Sequence, residues 1–175
     1  NGGSGFYGFS LESGEAEALF NWVDSDVSGD SVHYLRVGAD GAVRALSIVY
    51  PSKGDEYTVE LVTLTRTPYD SVPQKERLTL ATVYSDYELR NAVIKFNRSS
   101  DKYHIDIRDY YELTGSDDYA AAQTKLNTEL MAGTLPDIIN LGSDMPYEQL
   151  AAKGLLEDLY PFIDADNELD RSDFF

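Results

Sequence analysis

Two different rhythms of apolar residues divide this chain. Between Phe6 and about Arg66 they fall in short aromatic or β-branched runs, each closed by a turn signal. Phe6 to Leu11 is one run, Ser13-Gly14-Glu15 turns, and Ala18 to Val23 is the next. Val32 to Val37 alternates and meets Ala39-Asp40-Gly41, a hairpin signal because Asp and Gly tolerate the backbone of tight hairpins. Ala42 to Tyr50 returns, Pro51 to Asp55 is a polar turn, and Tyr57 to Arg66 (YTVELVTLTR) alternates and is rich in β-branched residues. Residues 1–66 are therefore expected to form an antiparallel β meander.

Residues 67–76 (TPYDSVPQKE) hold two prolines among polar residues and read as a linker. Beyond it the rhythm changes. Leu78 to Tyr84 (LTLATVY) is a near-continuous apolar run, as expected for a strand buried on both faces of a parallel sheet. Glu88 to Asn97 places Leu89, Ala92, Val93 and Phe96 at helical spacing. Tyr103 to Asp109 alternates strictly, with Tyr103, Ile105 and Ile107 opposite His104, Asp106 and Arg108; one polar face predicts an edge strand. Asp118 to Ala132 predicts a helix buried along Tyr119, Ala122, Leu126 and Leu130. A Pro136-Asp137 turn, a short strand (Ile138, Ile139, Leu141), the loop Gly142-Ser143-Asp144 and a helix ending at Gly154 follow. The order is β-α-β-α-β-α, and right-handed crossovers make it a parallel sheet. Residues 77–175 are thus of the α/β class. In such sheets ligands bind at the carboxyl ends of the strands.

The second half resembles the N-terminal lobe of extracellular solute-binding proteins of ABC importers, the carbohydrate-binding branch in particular. Leu126 to Gly133, Pro136-Asp137-Ile138-Ile139 and Gly154-Leu155-Leu156-Glu157-Asp158-Leu159 carry the likeness, which covers about Glu76 to Asp173. The resemblance implies a periplasmic-binding-protein-like fold with strand order 2-1-3, the second strand at the edge. It implies a non-catalytic receptor that catches a small solute, an oligosaccharide, between two lobes and hands it to a membrane permease. It also implies an extracellular location through a lipoprotein anchor. Only the first part of the first lobe is present, so the chain is expected to be a fragment lacking the hinge and second lobe. The β-rich half resembles a β-propeller blade with trailing strands of another, on Tyr7-Gly8-Phe9, Gly14-Glu15, Trp22, Asp40-Gly41 and Leu61-Val62-Thr63-Leu64-Thr65. Its strand edges are then open to self-association. The alternative to the receptor is a cell-surface interaction or adaptor protein in which the β-rich half is the working part.

Charge narrows the partners. Against 31 acidic residues stand 14 basic ones, for a net charge of −17, a field that repels nucleic acid and anionic membranes. With no cysteine, disulfides and thiolate chemistry are excluded. No run approaches the roughly 18–20 apolar residues that span a bilayer. The start, NGGSG, lacks a signal-peptide pattern and reads as an internal start, a mature end or a cloning remnant. No nucleophile elbow, zinc motif or phosphate loop is present, so neither an enzyme nor a cofactor is expected.

Two loops at the expected carboxyl ends supply the candidate contacts. Tyr84 and Asp86 lie in the first loop, Ser143, Asp144 and Tyr147 in the second. Carboxylates accept hydrogen bonds from sugar hydroxyls, and aromatic faces stack on pyranose rings. Asp86 and Asp144 are equally suited to start the helices that follow them. Tyr110, Tyr111 and Glu112, after the edge strand, read as partly buried loop residues near the rim. Asp24 to Asp30 (DSDVSGD) matches the front of a calcium loop, but its twelfth position is Leu35, and it reads as an acidic turn with no metal assigned. His33 and His104 are expected to face solvent.

Overall fold

The computed structural model describes residues 5–50, 56–115, 118–142 and 145–174. The expected polar turn Pro51 to Asp55 lies outside the described residues. Described residues form a mixed α/β structure with antiparallel sheets and one parallel three-stranded sheet.

The expected meander is divided into two sheets. Among the described residues, strands β1 (Gly5–Phe9) and β2 (Ala16–Asn21) pair only with each other. Phe6 and Phe20 face each other at 5.2 Å, and Trp22 meets Phe20 edge-on at 4.9 Å. Asn21 then ends β2: its side-chain oxygen accepts from Val23 N at 2.8 Å and starts the 3-10 turn Val23–Ser25. That turn diverts the chain before a third strand can join the hairpin. Asp26 closes it in the left-handed region, at φ 56. Strands β3 (Val32–Val37), β4 (Val43–Val49) and β5 (Thr58–Leu64) form the second, antiparallel sheet. Its first hairpin turns at Asp40-Gly41, where Gly41 has φ +76 and the Asp40 carboxylate accepts from Ala42 N.

The parallel sheet has the order β7-β6-β8, from β6 (Glu76–Thr82), β7 (Tyr103–Asp109) and β8 (Ile138–Ile139). In chain order this is second, first, third, with the second strand at the edge as its pattern predicts. Helix α1 (Tyr87–Ser99) joins β6 to β7. Helices α2 (Tyr110–Thr114) and α3 (Tyr119–Met131) lead to β8, and α4 (Tyr147–Ala152) and α5 (Tyr160–Ala165) follow it.

Each face of the sheet carries its own core. Ala81 and Val83 pack with Tyr110, Ala122, Leu126, Leu130, Met145 and Leu150. Leu80 packs with Val93, Ile94, Ile105 and, from the β-rich half, Val23. Tyr119 is exposed rather than part of the α3 stripe. The buried stripe of α1 is also rotated from its expected place: Val93, Ile94 and Asn97 are buried, while Ala92 and Phe96 are exposed. Asn97 explains the rotation. Its side-chain oxygen accepts from Ile105 N at 2.7 Å and its amide donates to Ile105 O at 3.0 Å. One carboxamide thus makes the two hydrogen bonds that a further strand would make to the edge of β7.

The acidic segment Asp24 to Asp30 seats the β-rich half on α1. Arg90 pairs with Asp30 at 2.6 Å, Arg98 donates to the Asp26 carbonyl at 2.9 Å, and Arg98 reaches Glu60 at 3.4 Å. The Asp30 carboxylate, which looked like a calcium ligand, is here engaged by Arg90. His104 is buried in the same seam, contrary to expectation, because this segment covers the polar face of β7; His33 is exposed.

Leu126→Ala should lower the unfolding free energy by roughly 2–5 kcal/mol, because Leu126 is wholly buried between α3 and the sheet. Leu61→Ser, at a site 76% exposed, should change it by less than about 0.5 kcal/mol. Urea unfolding of both variants measures the contrast.

Candidate functional site

The carboxyl ends of the parallel strands gather three loops. The first is Tyr84-Ser85-Asp86 after β6, the second Tyr110-Tyr111-Glu112 after β7, and the third Asn140-Leu141-Gly142 after β8. Ser143 and Asp144, two of the five residues expected to touch ligand, lie outside the described residues.

A single carboxylate ties the first two loops together. Asp109, the last residue of β7, is buried and accepts four hydrogen bonds. One oxygen takes Ser85 N at 2.8 Å and Ser85 Oγ at 2.7 Å; the other takes Tyr111 N at 2.9 Å and Glu112 N at 3.1 Å. It is thus the N-cap of α2 and the anchor of the first loop at once. The third loop is joined through Thr82, whose hydroxyl donates to Tyr84 O at 2.9 Å and accepts from Asn140 Nδ2 at 3.1 Å. Main-chain bonds from Tyr111 N to Val83 O and from Asn140 N to Ala81 O complete the frame.

Tyr84 projects from this frame, half exposed, and meets the Tyr111 ring edge-on at 5.7 Å. Asp86 is exposed, and its carboxylate caps α1 by accepting from Leu89 N at 2.8 Å. The capping reading of Asp86 therefore holds in the structure. Tyr147 is the first residue of α4 and is exposed. Tyr110 is buried against α3, where its hydroxyl donates to Glu129 at 2.6 Å and Arg108 pairs with the same carboxylate at 2.9 Å. Burial, reinforced by that hydrogen bond, pushes its phenol up to about 12.

Some contributors were not apparent from the sequence. A side-chain carbon on Gly142 would lie 3.8 Å from the Tyr119 hydroxyl, so Tyr119 stands beside the third loop. Ser85 and Asp109 position the rim without being exposed on it. Asp109-Tyr110-Tyr111-Glu112, read from the sequence as a loop, has the Asp-x-x-Glu spacing of a helix start, the signal that could have revealed α2 and its cap.

Beside α2 a shallow cleft of about 660 Å³ runs between Tyr7 of the β-rich half and Arg108, Asp109, Glu112, Leu113 and Lys125. Of the clefts away from the carboxyl ends, two border the β3-β5 sheet. One, of about 480 Å³, lies between the β1-β2 hairpin and the β3-β5 sheet; the other, of about 430 Å³, lies between that sheet and α1. Among the described residues no three His, Asp or Glu side chains are placed to hold a metal ion. The rim offers phenol edges, an amide, hydroxyls and a carboxylate, which suits a neutral polyol better than an anion.

No protein-family model matches this chain, and no curated protein or solved structure matches it.

Asp109→Ala should cost more than about 2 kcal/mol, since it removes a helix cap and leaves the buried Ser85 unsatisfied. Tyr110→Phe should cost about 1 kcal/mol, because Glu129 keeps Arg108 as a partner. Denaturant unfolding of the two variants reads both values.

Proposed function

We propose that this chain is part of a non-catalytic extracellular receptor for a small polyhydroxylated solute, an oligosaccharide, which it delivers to the permease of an ABC importer. The observation that carries the reading is the convergence of three loops at the carboxyl ends of a parallel sheet of order second, first, third. Such a rim is where α/β sheets bind ligands. Tyr84 and Tyr111 supply ring surface for a sugar's apolar face, and Asn140, Tyr119 and Asp86 supply polar groups for its hydroxyls. The frame beneath them is preorganised by Asp109 and Thr82, so little ordering opposes binding. In the resembled receptors ligand closes two lobes over itself, and the reading extends to a lipid-anchored protein at the outer membrane face.

A second reading is favoured by the outer face of the β3-β5 sheet. Tyr34, Leu46, Ile48, Val59 and Leu61 lie on this side through the pairs Tyr34 with Leu46, Leu46 with Leu61 and Ile48 with Val59. Tyr34 and Leu61 are more than two-thirds exposed. An apolar face of this kind suits an interaction or adaptor protein, or self-association through the free edges of β3 and β5.

Thermal unfolding of the whole gene product against a panel of oligosaccharides, amino acids and peptides decides between them. A solute at about 100 times its dissociation constant adds roughly 2.7 kcal/mol. The receptor reading expects a raised Tm with one sugar class, and Tyr84→Ala should abolish it. Asp86→Asn keeps a competent helix cap, so it isolates any contact of the carboxylate with ligand. A Tm unmoved by every member of the panel would overturn the receptor reading and leave the β-sheet face as the working surface.

A further inference from the structure

We infer that His104 is a proton-operated latch between the two halves: charging its imidazole ties the Asp26 segment of the β-rich half to strand β7. His104 is 9% exposed and sits where that segment crosses the sheet. Its Nε2 lies 3.3 Å from Asn97 Nδ2 and 3.8 Å from Asp26 Oδ1. Its Nδ1 lies 3.3 Å from Asp106 Oδ1. The orientation of Asn97 is set by its two bonds to the Ile105 backbone, so its amide presents a hydrogen, and the neutral ring must accept it at Nε2. The ring's own hydrogen then sits on Nδ1, towards Asp106. In that state Asp26 Oδ1 is buried without a hydrogen-bond partner, and His104 Nδ1 is unpaired as well. A buried carboxylate oxygen left this way is costly. A second proton, on Nε2, gives up the hydrogen bond from the Asn97 amide and places a positive charge between two carboxylates, one on each side of the seam.

The charged groups around the ring all bear on this step. Asp24 and Asp26 approach from the β-rich half and Asp106 from β7. Arg77 of β6 is the nearest opposing cation, and it is held by the Asp106 carboxylate through a bond of 2.7 Å. Arg98 of α1 is committed to the Asp26 carbonyl and Glu60, and Lys75 donates to the Asn97 carbonyl at 2.6 Å. Asp26 and Asp106 flank the ring, and each nearby cation is engaged by another group. Asp24 works in the same direction. Packing of its carboxyl against the seam, then the nearby Asp106, raises its pKa above the ordinary carboxylate value. A raised carboxyl pKa contributes stability that is complete below the unfolded value and is lost as pH rises through the folded one. Acid therefore also favours the seam at Asp24.

The latch reaches the candidate rim through one chain of contacts. Arg90, which holds Asp30 of the β-rich half, also donates to the Ser85 carbonyl, and Ser85 is bound to Asp109. Seating of the β-rich half thus bears on the loop that carries Tyr84.

Trp22 is the chain's single tryptophan, is buried and precedes the seam residue Val23, so its fluorescence reports on the seam. The test compares acrylamide quenching and Tm at about pH 5.5 and about pH 8, either side of the imidazole range. A net charge of −17 means that acid relieves repulsion in every variant, so the quantity read is the difference from a control. Wild type and the His33→Gln control should both show weaker Trp22 quenching and a higher Tm at the lower pH. His104→Gln should lose roughly 2–4 °C of that rise, the shift that one moderate interaction gives a chain of this length. Asp26→Asn, which keeps the histidine, should lose it too and provides the answer if His104→Gln does not fold. An equal pH response in His33→Gln, His104→Gln and Asp26→Asn would overturn the latch.

Discussion

A parallel sheet must cover both faces of its central strand, which is apolar on both sides. With only three strands, this one places nearly all of that demand on β6. Ala81 and Val83 point to the face covered by α2, α3 and α4. Leu80 points to the other, where α1 packs on the sheet and Val23 of the β-rich half takes a place beside it. The two halves are therefore parts of one packing problem. The β-rich half supplies an apolar residue to a core that lies mainly outside it.

The acidic excess has a structural share. Asp86, Asp109 and Asp118 cap α1, α2 and α3 by accepting main-chain hydrogens, and Asp170 caps the last 3-10 turn. Asp137 takes Thr79 N at the start of β8, and Asp40 takes Ala42 N in its hairpin. Carboxylates suit these places because free N–H groups and the positive end of the helix dipole meet there. Among them Asp109 stands apart, since its second oxygen reaches across to the neighbouring loop and couples a local cap to the geometry of the rim.

What could be read from the sequence follows from what an apolar pattern can carry. The run Leu78 to Tyr84, the alternation of Tyr103 to Asp109, most of the α3 stripe and the Asp40-Gly41 turn are local signals, and each has its counterpart in the structure. Features that depend on distant partners were not legible. Asn97 is a polar residue on the core face of α1, buried because it satisfies the edge of β7, and no hydrophobic period marks it. His104 looked solvent-facing because its cover comes from a segment nearly 80 residues earlier in the chain. Asn21 divides the meander through one side-chain bond that a β-propensity reading does not see. At the rim, Tyr84 lies where the sequence placed it, while Tyr119 and Asn140 arrive there only through the packing of α3 and β8.

The seam between the halves shows which force does the joining. Its ion pairs, Arg90 with Asp30 and Arg98 with Glu60, are partly exposed, and pairs of that kind contribute about 0–1 kcal/mol each. Burying Val23 contributes roughly 1.5–3 kcal/mol by area alone. The apolar contact thus supplies attachment, and the arginines supply register: they sit two turns apart on α1 and each grips a different part of the arriving chain. In a protein with more than twice as many acids as bases, placing Arg77, Arg90 and Arg98 at this junction also offsets repulsion where the acidic segment must approach. One remaining imbalance at the seam is the buried Asp26 oxygen. A hydrophobic joint with well-matched charges has no such group; this one leaves a carboxylate oxygen facing an imidazole across the seam.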